Sequence, residues 1–301
     1  MRPADFSDHD ERTPPMKLSP ALASWLQVGP MALILVVFFG LPMLVVIAAS
    51  FFDFDHMTIV PAFIMDNYED LFSSEVTLRL YLSSIKFAVI VWAITLLIGF
   101  TVAYFLVFHV QSLLVKIGLF LLCSVPFWTS NIIRMISWIP FLGRNGIFNQ
   151  ALIASHISSK PLEFLLFSDF AVVVAYVHLF TLFMVVPIFN SMARIDTRLI
   201  EAAKDAGASR IAILREIVLP LSKTGIALGS IFVVTQVMGD FFVVKVMSGG
   251  QSASVVSALS NQIQELQYPP AAASAVILVI VVMLMVAGIL RVVDVRRELA
   301  S

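Results

Sequence analysis

The sequence predicts an all-α integral membrane protein with six transmembrane helices. Three observations carry that prediction. The 301 residues are 59% hydrophobic and only 13% charged, where a soluble domain is about a quarter charged. The mean hydropathy is +0.96. Apolar runs of roughly 20 residues, the length that crosses a bilayer core, recur along almost the whole chain.

The elements follow in order. Residues 1–29 read as a polar N-terminal tail, with Pro3, Pro14, Pro15 and Pro20 in its first part. Its mixed acidic and basic character, and the length of the apolar run behind it, argue for a retained first span over a cleaved signal peptide. Residues 30–301 read as one membrane domain. The expected spans are Met31–Phe52, Ser83–Phe108, Leu113–Trp138, Phe170–Met192, Thr224–Met247 and Ala271–Val293. Pro42 falls inside the first, where neighbouring groups can satisfy the freed carbonyl. The single cysteine, Cys123, lies in an apolar run and reads as a buried thiol.

Six spans place both termini on one side. If that side is the cytoplasm, 13 of the 19 Lys and Arg residues fall on it, and the positive-inside rule then puts the termini there. The acidic segment Phe54–Leu80 falls on the opposite side.

Residues 194–223, between spans four and five, are too polar to cross the bilayer. Asp196 or Thr197 can cap a helix start. Leu199–Ala206 are good helix formers, and Gly207 can end that helix in a left-handed turn. Ser209 can cap a second helix, whose apolar face is Ile211, Leu214 and Val218, and Pro220 marks its end at Leu219. The charges are mixed: Glu201, Asp205 and Glu216 against Lys204, Arg210 and Arg215. On this chemistry alone, docking to a protein partner and resting as a connector in the headgroups stay equally open.

The residues Glu201-Ala202-Ala203, Gly207, Ile217 and Leu219-Pro220 match the fixed positions of the EAA signature, E-A-A, three residues, G, nine residues, I-x-L-P. In this the chain resembles binding-protein-dependent ATP-binding-cassette importer permeases. The stretch Pro126–Ser130 with Arg134, Trp138, Gly143, Asn145-Gly146 and Asn149, and Met238–Phe241 with Gly249-Gly250, are similar to the spermidine/putrescine permeases. The resemblance implies a cytoplasmic ATPase dimer that receives residues 194–223 as a coupling loop. It implies a second permease subunit, a heterodimer being favoured, and an extracytoplasmic solute-binding protein. It also implies a bacterial inner-membrane location and a small organic solute, polyamine-like by preference. The competing classes are an ion-gradient-driven secondary transporter and a membrane scaffold subunit.

Ionisable residues within spans usually face a cavity or a partner. Asp240 near one end of span five could attract a cationic solute, and Trp128 and Phe241 could stack on it. Arg134 is a further candidate for the solute path. Lys86 and Arg134 can alternatively snorkel to the headgroups, and His178 can satisfy an interhelical hydrogen bond. Gly225 and Gly229 form a G-x-x-x-G pair suited to close helix packing.

What the chain lacks is also informative. It has no Gly-Lys pair, hence no P-loop for ATP phosphates. It has no H-E-x-x-H metal pattern and no basic stripe for nucleic acid. No cofactor is expected on this chain; the resemblance places ATP and Mg on the ATPase.

Overall fold

The computed structural model describes residues 20–55 and 58–293. It contains two units, residues 1–48 and 49–301, and the expected tail over residues 1–19 lies outside the described residues. The first unit is helical: α1 (Pro20–Leu35), a π turn (Val36–Gly40) and α2 (Leu41–Ala49). Residues 20–29, expected as tail, are therefore already helical.

The second unit begins with a short antiparallel hairpin, β1 (Asp53–Asp55) and β2 (Thr58–Val60), paired Asp53↔Val60 and Asp55↔Thr58. Then come α3 (Asp66–Ser73) and α4 (Glu75–Phe108). The Ser74 hydroxyl caps α4 by accepting from Thr77 N–H at 3.3 Å. There follow α5 (Leu113–Ser124), a 3₁₀ turn (Val125–Trp128), α6 (Asn131–Ile136), α7 (Trp138–Leu142) and α8 (Ile147–Ala154). Next are α9 (Asp169–Met192), α10 (Thr197–Asp205) and α11 (Arg210–Ile213). A π turn (Leu214–Val218) then leads into α12 (Leu219–Leu221). The last described elements are α13 (Lys223–Gly239), α14 (Phe242–Met247), α15 (Val255–Gln264) and α16 (Tyr268–Val293).

Among the described residues, four helical stretches are long and apolar enough to cross a membrane: Ser24–Ala49, Glu75–Phe108, Asp169–Met192 and Tyr268–Arg291. Two bent helix pairs also meet the test of length and composition. Leu113–Trp128 meets Asn131–Ala154 at 93°, and Arg210–Leu221 meets Lys223–Gly239 at 65°. The count reaches the expected six when each bent pair is taken as one span, but the third is not the continuous helix Leu113–Trp138. It breaks at Thr129-Ser130, where Thr129 is extended (ψ 152°) after the 3₁₀ turn that holds Pro126. The fifth helix does not run to Met247 either: Asp240 leaves helical geometry at φ −96°, ψ 138°.

The centre of the second unit is α9. Its buried residues, Ala171, Val172, Ala175, Tyr176, Leu179, Phe180, Met184, Val185, Ile188 and Met192, recur every three to four residues and make one continuous stripe. Helices α4 and α13 pack on it. Between lipid-embedded helices there is little hydrophobic drive, so close approach through small residues matters. A Cβ on Gly99 would lie 2.7 Å from Met184 Cγ, and one on Gly229 would lie 2.8 Å from Met184 Sδ. A Cβ on Gly225 would lie 2.4 Å from the Pro187 carbonyl oxygen. The G-x-x-x-G pair thus packs inside this chain, against α9.

Hydrogen bonds between helices fix the remaining registers. Trp92 Nε1 on α4 donates to Ser230 Oγ on α13 at 2.8 Å. Tyr81 Oη donates to the Ser274 carbonyl on α16 at 2.8 Å. Val255 N–H donates to Ser84 Oγ at 3.0 Å, tying α15 to α4.

Gly225→Val should therefore lower stability by about 1–3 kcal/mol through overpacking, read as thermal unfolding in detergent. Gly288→Val, where a new Cβ meets nothing within 4 Å, should unfold as wild type does. Equal melting of the two variants would refute the close approach.

Candidate functional site

Two regions carry the residues singled out in the sequence, at opposite ends of α9. The first is the segment that follows Met192. Asp196 caps α10 by accepting from Arg198 N–H at 2.9 Å. Ile195 before the cap and Ile200 on the first turn both pack in the core cluster, as a hydrophobic staple does. At the other end Ala208 N–H donates to the Ala203 carbonyl and Gly207 N–H to the Lys204 carbonyl, both at 2.9 Å. Gly207 sits at φ +84°. This is the Schellman closure, and it gives the E-A-A-x3-G spacing a physical reason. The third motif residue, Ala203, supplies the carbonyl that the chain returns to after the left-handed glycine.

The motif alanines face different ways. Ala203 packs on the core cluster, while Glu201 and Ala202 are exposed. Leu199 is exposed beside them. Ser209 caps the second helix, accepting from Ala212 N–H at 3.2 Å.

That second helix differs from the sequence expectation in two ways. It does not stop at Leu219 but continues through Pro220 to Leu221. Its buried residues are Ile213 and Val218, while Ile211 is 66% exposed. The reason is the π turn, in which Leu219 N–H reaches back to the Leu214 carbonyl. Widening the turn moves the carbonyl that would collide with the proline ring and shifts the buried face. Ile217 stays half-buried against the core and Leu219 is exposed.

The second region is at the far end of α9, where the third and fifth spans break. Asp240 Oδ1 accepts from Val243 N–H at 2.8 Å, capping α14, and from Tyr176 Oη at 3.2 Å. Asp240 and Phe241 line a cavity of about 300 Å³ with Asn131, Phe180 and Phe242. The breaks in two spans thus border one space. Trp128 is 75% exposed and lies outside that lining.

Arg134 lies on the same short helix as Asn131 but lines a different cavity, with Ser137, Trp138, Phe141 and His178. It does not snorkel; it is 7% exposed. Its Nη2 donates to Asn131 Oδ1, and the guanidinium lies 4.9 Å from the Phe127 ring centre. Arg134 therefore bridges the two halves of the broken span. His178 accepts from Trp138 Nε1 at 3.0 Å, the interhelical bond that the sequence allowed. Lys86 pairs with Asp169 at 2.6 Å, and Ser252 bonds the other carboxylate oxygen. Cys123 is half-buried, not buried.

Sequence reading missed Tyr176, Asn131, Asp169 and Ser252. Tyr176 carried a weak signal, a hydroxyl-bearing ring in mid-span two residues from His178. The other three are ordinary span-end and loop residues, and only the fold pairs them.

Long apolar helices, two bent helix pairs and a capped two-helix segment with the E-A-A-x3-G spacing ahead of α13 accord with an importer permease. The chain belongs to the family described as "Binding-protein-dependent transport system inner membrane component", which matches residues 117–298. It is a permease of an ATP-binding-cassette importer and a multi-pass inner-membrane protein, which sets aside the gradient-driven alternative. "Spermidine/putrescine transport system permease protein PotB" of Escherichia coli (strain K12) is 33% identical over 237 residues, 77% of this chain and 84% of that one. PotC of the same organism is 40% identical, but over only 67 residues, 22% of this chain and 25% of that one. A chain of the "bacterial alginate ABC transporter in complex with alginate pentasaccharide-bound periplasmic protein" superposes with a TM-score of 0.72. It shares 17% identity and covers 92% of this chain and 94% of its own, a likeness of fold.

Asp240→Ala removes the acceptor that caps α14 and should lower stability by about 1 kcal/mol. Asp240→Asn keeps an acceptor oxygen in place and should melt as wild type in detergent. Equal stability of the Ala variant would show that the cap contributes nothing.

Proposed function

We propose that this chain forms one half of a translocation path for a small polyamine-like cation. The observation that carries the reading is the Asp240 carboxylate at the break of the fifth span. It borders a cavity with Phe180, Phe241 and Phe242, the combination of charge and ring faces that suits an ammonium group. The likeness to PotB supports the same solute class.

In this reading the second half of the path is a different permease subunit. The partial likeness to PotC as well as the fuller one to PotB accords with a heterodimer. A solute-binding protein delivers cargo at the end of the bundle that holds Asp240. The segment from Thr197 to Leu221 lies at the cytoplasmic face, with both termini on that side, as the distribution of Lys and Arg favours. It docks on an ATPase dimer through Glu201, Ala202 and the exposed Leu199. The chain itself is not an enzyme: ATP and Mg are held by the ATPase, whose closure shifts the bundle between two discrete arrangements.

The test is ATP-dependent uptake of spermidine and putrescine by the reconstituted complex. Asp240→Asn should weaken uptake about tenfold or more, as expected when a desolvated charge contact to a cation is lost. Normal uptake by that variant would remove Asp240 from the path. Gly207→Pro cannot adopt φ +84° and loses the N–H that reaches Lys204. It should abolish ATP-driven uptake at normal membrane levels, and undiminished uptake would end the coupling assignment.

A further inference from the structure

The chain uses one backbone device twice. In the first unit a π turn covers Val36–Gly40, Leu41 N–H bonds the Val36 carbonyl, and Pro42 follows. Before the fifth span a π turn covers Leu214–Val218, Leu219 N–H bonds the Leu214 carbonyl, and Pro220 follows. Five residues, then Leu, then Pro is the register in both. Pro30 and Pro187 sit inside α-helices, so proline alone does not produce the turn.

A π turn holds one residue more than the α-turn it replaces. Everything beyond it is rotated by about 100°, the angle of one helical residue. Here that rotation is not absorbed by loose ends. On one side Ser209 caps the helix. On the other, Ser222 is fully buried, and its hydroxyl donates to the Val218 carbonyl at 2.6 Å. The exposure of Ile211 and the burial of Ile213 and Val218 record the rotated face.

We propose that Pro220 is a positioning residue: with Leu219 it holds the π turn, and the extra residue sets the angle at which α10 and α11 are presented to the ATPase. This rests on the coupling reading above. Pro220 acts through the rotation of the helices ahead of it, not through a contact of its own.

The test is a pair of changes that should suppress one another. Pro220→Ala lets the turn relax to α-helix with its extra residue retained, which swings the loop helices away from their angle. Deleting the exposed Glu216 removes the extra residue, but Pro220 then kinks the plain helix that remains and tilts α10 and α11. With both changes, an unstrained α-helix returns α10 and α11 to their native angle.

In the complete reconstituted complex, each single change should lower solute moved per ATP by about tenfold, a typical coupling loss. The combination should recover to within about twofold of wild type. A thiol introduced by Ile211→Cys should react with maleimide in the wild-type background and in the combination, and be protected with Pro220→Ala alone. Two results overturn the proposal: wild-type coupling and labelling in Pro220→Ala, or a combination no better than the singles. Failure of the coupling reading itself shows separately, as uptake untouched by Gly207→Pro.

Discussion

The Met184 side chain lies between Gly99 on α4 and Gly229 on α13, at distances that leave no room for a methyl group on either glycine. The close packing of α4, α9 and α13 depends on that contact. Apolar surface facing lipid gains little from being moved against another helix, so the three helices hold together through shape and a few hydrogen bonds. Gly225 against the Pro187 carbonyl extends the same seam by one turn toward the loop segment. A bundle fixed so tightly along its middle is free to be irregular at its two ends, and both ends are.

At one end the irregularity is a pair of breaks, in the third and fifth spans, facing a common cavity. Asp240 is both a cap and a lining residue: one oxygen holds Val243 and Tyr176 in place while the residue borders the space. Arg134 serves the same end from the other side of α6, spanning the break from Phe127 to Asn131. At the opposite end the irregularity is the capped loop, where a left-handed glycine and a π turn set two angles in sequence.

Much of this was legible in the sequence. The long unbroken spans were plain because apolar length needs no partner to be recognised. The caps at Asp196 and Ser209 and the positive φ of Gly207 were readable because each is decided within a few residues. The breaks were not readable. Thr129-Ser130 and Asp240 lie in stretches whose composition suits a continuous helix, and Pro126 ahead of the first does not by itself announce a break, since Pro187 sits inside α9. The same holds for Ile211: periodicity placed it inside, and a turn of a different period put it outside. Pairing of Lys86 with Asp169, 83 residues away, leaves no local trace.

The breaks at Thr129-Ser130 and at Asp240 have an electrical consequence. The last carbonyls of a helix that stops short have no intrahelical partner; lipid tails solvate them poorly, and they require water or protein around them. Water that reaches such groups also conducts protons. A chain whose two interrupted helices border one cavity must therefore never open to both compartments together, or the membrane would discharge its voltage through the route meant for the solute.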